Sequence, residues 1–184
     1  MRIQFDASLD YQREAVEAVA KLFEGQEACA SHFSVVAPNQ GELYESNELG
    51  VGNRLNILDE ELLENLQKVQ IKNGLKQSSD VDGNQFNIEM ETGTGKTYVY
   101  LKTIFELNQR YGMTKFIIVV PSIAIKEGVY KSLQITKEHF KAEFGSLPYD
   151  YFVYDSSKLG QVRSFASNET VQIMVINIDA FRKS

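Results

Sequence analysis

Short apolar runs alternate with stretches of helical periodicity from about residue 81 onward, and this alternation constrains the fold more than any other feature. The apolar runs, in chain order, are FNIEM, KFIIVV, YDYFVY and VQIMVIN. Helical stretches lie between them, from Lys96 to about Arg110, from about Ile123 to Phe140, and in SSKLGQVRSFA. Alternating strands and helices predict an α/β fold whose mostly parallel sheet is covered on both faces. KFIIVV supports this, because buried parallel strands are almost wholly apolar.

The first 80 residues have a different character. Apolar residues recur at helical spacing from Asp10 to about Glu24, and Gly25 ends that run. A second helix is predicted over ILDEELLENLQKVQIKNGL, with an apolar stripe formed by Leu58, Leu62, Leu66 and Val69. Residues 26–57 between them indicate an irregular excursion with one possible strand, HFSVV. We therefore divide the chain into an N-terminal helical segment, 1–80, and an α/β part, 81–184.

Composition and charge exclude several classes of protein. The chain has 184 residues, 43% hydrophobic and 24% charged, which suits a globular domain with a buried core. Its net charge of -6 argues against general adhesion to nucleic acid. Residues 1–80 hold seven Lys and Arg against 14 Asp and Glu, so a phosphate-binding surface is expected in the later part. A single cysteine, Cys29, and the absence of a long apolar run predict a cytoplasmic protein without a membrane span.

A glycine-rich segment, METGTGKT, joins the first apolar run to the helix that begins at Lys96. Backbone N–H groups converge at a helix N-terminus, and the helix dipole there favours phosphate. Gly93 and Gly95 allow the backbone to curl, Lys96 would reach the β- and γ-phosphates, and the Thr97 hydroxyl would hold Mg²⁺. The pattern G-x-x-x-x-G-K-[ST] places a glycine where Met90 stands, and Met90 fits as the last strand residue with its side chain in the core. The alternative is a glycine-rich turn that merely starts a helix.

Three motifs together resemble a known family. METGTGKT resembles motif I of superfamily 2 helicases and translocases, LDYQREAV resembles the glutamine-containing segment before it, and IIVVPSIAIKEGV resembles motif Ia. With VINIDAF, the set is most similar to the restriction subunit of type III restriction-modification enzymes. That family usually carries Ala or Gly where Met90 stands. The resemblance covers nearly the whole chain, least clearly over residues 26–57, and implies a three-layer RecA-like P-loop fold.

The resemblance also implies roles for individual residues. The cofactors would be ATP and Mg²⁺, with Lys96 and Thr97 as the catalytic residues and Thr97 as the metal contact. The resemblance assigns nucleotide binding to Gln12, Thr92, Gly93, Thr94, Gly95, Lys96 and Thr97. It assigns nucleic-acid contacts to Pro121, Ser122, Lys126 and Asn177.

Two of these assignments have simpler alternatives in the residues themselves. The Gln12 amide both donates and accepts, which matches N6 and N7 of adenine, but a glutamine on a helix is often only a solvated surface residue. The Ser122 hydroxyl could grip a phosphate after its strand, or could simply cap the helix that follows. Tyr11 could stack on the base or pack in the core.

The whole protein implied by the resemblance is an ATP-dependent translocase on double-stranded DNA, a site-specific endodeoxyribonuclease that works with a methyltransferase (modification) subunit. Asp179 is two residues beyond the last strand, whereas the Mg²⁺-binding acidic motif directly follows its strand. We therefore expect the catalytic acids, a second motor domain and the nuclease beyond Ser184. ATP turnover by this chain alone is expected to be absent.

Other readings stay open at this point. A different superfamily 2 motor, such as a type I restriction subunit or a repair helicase, would carry the same motif I. A small nucleotide kinase or a stand-alone phosphate-loop protein is a second alternative. A kinase would need a cluster of arginines in a lid, and residues 98–184 contain only Arg110, Arg163 and Arg182. A third possibility is that the acidic first 80 residues form a docking surface for the methyltransferase.

Overall fold

Residues 9–35 and 48–182 are described by the computed structural model, and side chains are described at most of these positions. The chain divides into two units, Met1–Ala28 with Leu55–Tyr111, and Cys29–Arg54 with Gly112–Ser184. The division of the chain at residue 80, which rests on the sequence pattern, stays a prediction.

The described residues of the first unit form three α-helices, and all three were predicted. Helix α1 is Asp10–Ala20 and continues into a 3-10 turn, α2 is Asp59–Lys72, and α3 is Lys96–Tyr111. Left-handed glycines stand after α1 and α2, with φ of 97° at Gly25 and 67° at Gly74, a conformation that costs glycine little. The interior is apolar and contains Val16, Ala20, Leu62, Leu101 and Phe105.

Two buried amides hold the first unit together across long sequence distances. Gln26 Oε1 accepts the N–H groups of Asn56 at 2.8 Å and Ile57 at 3.2 Å. Asn65 Nδ2 donates to the carbonyls of Leu22 and Glu24, at 3.2 and 2.8 Å. Buried side-chain amides need such partners, so these contacts fix where the chain leaves the unit after α1 and where it returns before α2.

A three-stranded parallel sheet forms the centre of the second unit. Its strands are β3, Lys115–Val120, β4, Tyr149–Val153, and β5, Val171–Asn177, in the order β3-β5-β4. Residues 171–176 of β5 are all buried, and successive side chains point to opposite faces, so both faces are covered there. Helices α4, Ile123–Glu143, and α5, Leu159–Ser167, both contact β5. The predicted α/β fold with a parallel sheet and an N-terminal helix is therefore confirmed.

An antiparallel hairpin in the second unit comes from the excursion. Strand β1, Ala30–Val35, contains the predicted strand and pairs with β2, Glu48–Asn53, which the sequence analysis missed. Asn53 fastens the end of β2 to the start of β3. Its Nδ2 donates to the Lys115 carbonyl at 2.7 Å, and its Oδ1 accepts from Thr114 N at 2.8 Å and Lys115 N at 3.0 Å.

The predicted strand FNIEM is not a strand in the structure. Residues 85–91 are neither helical nor extended in a sheet, and the Ile88 side chain is 51% exposed. A strand persists only when its N–H and C=O groups find a neighbouring strand, and none of the strands among the described residues pairs with this segment. Met90 is accordingly half-buried and does not end a strand.

The apolar stripe predicted on α2 is partly wrong. Leu62 is fully buried, but Leu58 is 62% exposed. Leu58 precedes the helix with an extended ψ of 153°, so its side chain leaves the helical stripe. Its N–H donates to the Glu61 carboxylate at 3.2 Å, which satisfies one of the free donors at the helix start.

Candidate functional site: the glycine-rich loop and Gln12

The loop from Thr92 to Thr97 curls tightly into the start of α3. Gly93 and Gly95 both have φ of 84°, in the left-handed region that favours glycine. The Val99 N–H donates to the Gly95 carbonyl at 3.0 Å, so the helical hydrogen bonds begin inside the loop. No acidic residue stands in the first turn of α3. The helix N-terminus therefore has no built-in carboxylate to compete with an anion.

The Lys96 ammonium folds back over the loop and holds it from inside. Lys96 Nζ donates to the carbonyls of Met90 at 2.5 Å and Glu91 at 2.9 Å. The Thr94 hydroxyl donates to the same Glu91 carbonyl at 2.7 Å. A bound phosphate would offer Lys96 charged oxygens, which make stronger hydrogen bonds than neutral carbonyls.

Thr97 is half-buried in the first turn of α3, and buried side chains anchor that helix. Val99, Leu101 and Phe105 on α3 are buried. Burial raises the pKa of Tyr100, one turn beyond Thr97, and a hydrogen bond with the Thr97 side chain opposes that increase. The position of Thr97 is thus set by a packed helix, as a metal-binding hydroxyl would require.

Gln12 on α1 contacts this loop, although 82 residues separate it from its partner. Gln12 Nε2 donates to the Thr94 carbonyl at 2.9 Å. The same nitrogen lies 2.6 Å from the position that a Cβ at Gly95 would occupy. A carboxamide nitrogen carries two hydrogens, so one can stay on Thr94 while the other reaches a ligand. Tyr11 beside it is 47% exposed, so it does not belong to the packed core.

The residues predicted to contact nucleic acid lie in the second unit, at the carboxyl ends of β3 and β5. Val120 stands opposite Asn177 in the parallel register, so Pro121 and Ser122 follow directly beside Asn177. Ligands of open parallel sheets bind at this edge. Ser122 Oγ accepts from Ile125 N at 3.3 Å and caps α4, while its hydroxyl hydrogen can still donate to a ligand.

Lys126 is half-buried one turn into α4, and its N–H donates to the Ser122 carbonyl at 3.0 Å. Asn177 Oδ1 accepts from Asp179 N at 2.9 Å, and Asp179 itself is exposed in the 3-10 turn that follows β5.

The described residues contain neither a cluster of metal ligands nor a membrane-spanning helix. In residues 9–35 and 48–182 no three or more His, Cys, Asp and Glu side chains gather as a metal site. Across the same ranges no helix is long and apolar enough to cross a membrane.

The sequence analysis missed the ion pair at the far end of the first unit. Arg110, in the last turn of α3, donates from Nη1 to Glu17 Oε2 at 3.2 Å and from Nη2 to Glu17 Oε1. Its Nε donates to Glu106 at 3.0 Å. The Arg110 hydrogen bonds lower the pKa of Glu17. Only the spacing of Glu106 and Arg110 was visible in the sequence, because Glu17 is 93 residues away.

Comparisons with known proteins agree on one family. The family described as "Type III restriction enzyme, res subunit" matches residues 7–184. The EcoPI Res subunit of Escherichia phage P1 is 35% identical over 162 residues, which cover 85% of this chain and 16% of that protein. The EcoP15I Res subunit of Escherichia coli is 38% identical over 112 residues, 58% of this chain and 12% of that protein. The StyLTI Res subunit of Salmonella typhimurium is 48% identical over 61 residues. The chain thus spans only a small part of the length of these relatives.

Proposed function

The chain belongs to the family of type III restriction enzyme Res subunits, and on that premise we propose that it is the ATP-binding part of a DNA translocase that drives restriction. The observation that carries the proposal is the loop at the start of α3. Two left-handed glycines, a lysine already inside the loop, and an N-terminus without acids together suit a nucleotide phosphate.

Each residue near the loop has a proposed part in binding ATP. Backbone N–H groups from Thr92 to Thr97 would surround the β-phosphate, and Lys96 would exchange its carbonyl partners for phosphate oxygens. The Thr97 hydroxyl would contact Mg²⁺, which neutralises charge on the phosphates when bound. Gln12 would read adenine through its amide, with Tyr11 stacking on the base.

The remaining functions follow from the family and stay proposals. Double-stranded DNA would lie across the carboxyl edge of the sheet, at Pro121, Ser122, Lys126 and Asn177. In the intact protein a nuclease activity and a methyltransferase (modification) partner would complete the restriction system, as the names of the restriction-modification relatives suggest. We place the protein in the cytoplasm, where ATP is plentiful and its one cysteine stays reduced.

A calorimetric titration of ATP against the chain tests the proposal. Lys96→Ala should weaken ATP binding by at least about tenfold, because a hydrogen bond to a charged group contributes about 1.5–3 kcal/mol. Lys68→Ala is the matched control, since Lys68 is an exposed helical lysine that pairs with Glu64 on its own helix. Circular dichroism should show the same helix content in all three proteins, because Lys96 is exposed.

Two results would contradict the proposal. One is an ATP affinity that Lys96→Ala leaves unchanged. The other is an equal loss in Lys96→Ala and Lys68→Ala, since this would indicate general attraction between lysines and the anionic ligand.

A further inference from the structure

Helix α1, which carries Gln12, depends on contacts with the rest of the first unit for its position. It has 11 residues and no side-chain hydrogen bond at its N-cap. Isolated helices shorter than about 12–15 residues are marginal in water, so contacts with the rest of the unit must place it. Val16 and Ala20 supply apolar contacts. Apolar contacts are not directional, so they set a distance more firmly than a position along the helix axis.

Directional contacts fix α1 at the end far from the loop. The planar Arg110 guanidinium donates to both oxygens of Glu17, and Glu106 on the same helix holds the guanidinium in place. The Tyr111 hydroxyl donates to the Ala20 carbonyl at 2.8 Å. Because the guanidinium donates two N–H groups to the two carboxylate oxygens, it favours one orientation of the carboxylate, which a point charge such as an ammonium does not. Both side chains are about one-third exposed, so water screens the pair only in part.

The end of α1 near the loop is less constrained. Among residues 9–35 and 48–182, the Gln12 side chain makes one hydrogen bond there, to the Thr94 carbonyl, and its amide nitrogen occupies the space that Gly95 leaves open. A small slide of α1 along α3 would carry the amide away from Thr94 and break this bond. The position of Gln12 therefore depends on the ion pair between Arg110 and Glu17, which lies five residues farther along the same helix.

We propose that Arg110, through its ion pair with Glu17, is a positioning residue that holds Gln12 for adenine recognition. This inference rests on the proposed binding of ATP. Breaking the ion pair should therefore change the choice between nucleotides more than it changes phosphate binding. Lys96 and the loop glycines belong to α3 and the loop before it, so they do not depend on the position of α1.

The ratio of ATP to GTP affinity, measured by titration, tests the inference. The parent chain should prefer ATP by about five- to a hundredfold, the range of one amide contact with adenine. Gln12→Ala should remove this preference. Arg110→Gln and Glu17→Gln should each reduce it by at least about threefold, with a much smaller change in affinity for inorganic triphosphate. Because only folded molecules bind, the ratio of ATP to GTP affinity does not depend on the fraction of molecules that is folded. If Arg110→Gln folds poorly, Glu17→Gln still tests the inference, because it leaves the pair between Arg110 and Glu106 intact.

Two further proteins complete the design. Arg13→Gln is the matched control, because Arg13 pairs with Asp10 on the exposed side of α1 and should leave the ratio unchanged. The double variant Gln12→Ala with Arg110→Gln should match Gln12→Ala alone, since Arg110 acts through Gln12.

The possible failures are distinguishable. An ATP preference that survives in both Arg110→Gln and Glu17→Gln, but is lost in Gln12→Ala, would overturn this inference and leave the proposed function standing. Equal affinities for ATP and GTP in the parent would overturn it together with the adenine-reading role of Gln12. If the parent chain bound no nucleotide at all, that result would instead overturn the proposed function.

Discussion

At the scale of a residue, Gly95 meets two separate requirements. Its φ of 84° favours glycine, and the absence of a Cβ makes room for the Gln12 amide. Gly93 has the same φ but nothing within 4 Å of its missing Cβ, so it meets only the first requirement. The two glycines therefore offer a comparison in which the backbone is matched and the neighbour differs.

We expect Gly95→Ala and Gly93→Ala to lower the free energy of unfolding by similar amounts, about 1–2 kcal/mol, because alanine is strained in the left-handed region. Only Gly95→Ala should lower the ATP-to-GTP affinity ratio, since its methyl group displaces Gln12. Chemical denaturation and nucleotide titration of both variants check this. A ratio that falls equally in both would mean that Gln12 does not depend on the space at Gly95.

At the scale of secondary-structure elements, Asn53 shows how one side chain joins two strands. Asn53→Ala would remove its hydrogen bonds with Thr114 and Lys115 at an exposed position, where water can take over part of the bonding, so we expect the free energy of unfolding to fall by about 0.5–1.5 kcal/mol. Asn87→Ala, at an exposed position outside helices and strands, is the control and should change stability by less than about 0.5 kcal/mol. Urea denaturation measures both, and equal midpoints would contradict the proposed importance of this contact.

Elements whose stability is local were predictable from the sequence, and elements that depend on distant partners were not. Helix α3 and its glycine-rich loop were predictable from the spacing of their apolar residues and glycines, because a helix forms its hydrogen bonds within its own segment. FNIEM has the composition of a strand but lacks a paired neighbour among the described residues, so composition alone misled. In the candidate site, the loop conformation follows from its glycines. The approach of Gln12 to Thr94 and of Glu17 to Arg110 arises from helix packing, which a single sequence does not specify.

At the scale of the whole molecule, charge opposes contact with nucleic acid. The net charge is -6 and the isoelectric point is about 5.0, so DNA meets overall repulsion. We expect weak binding to duplex DNA, with a salt slope equivalent to about one to three phosphates. Fluorescence anisotropy across a range of salt concentrations measures that slope. Tight, sequence-specific binding by this chain would contradict the proposed role of the sheet edge as a short backbone contact.

The amide of Gln26 has a consequence for how this chain can change over evolution. It ties the chain after α1 to Asn56 and Ile57, thirty residues later, while β1 and β2 are held in register by their own ladder. These bonds involve residues on either side of 36–47. Substitutions in the hairpin can therefore accumulate without removing the two hydrogen bonds by which Gln26 joins the chain before β1 to the chain after β2.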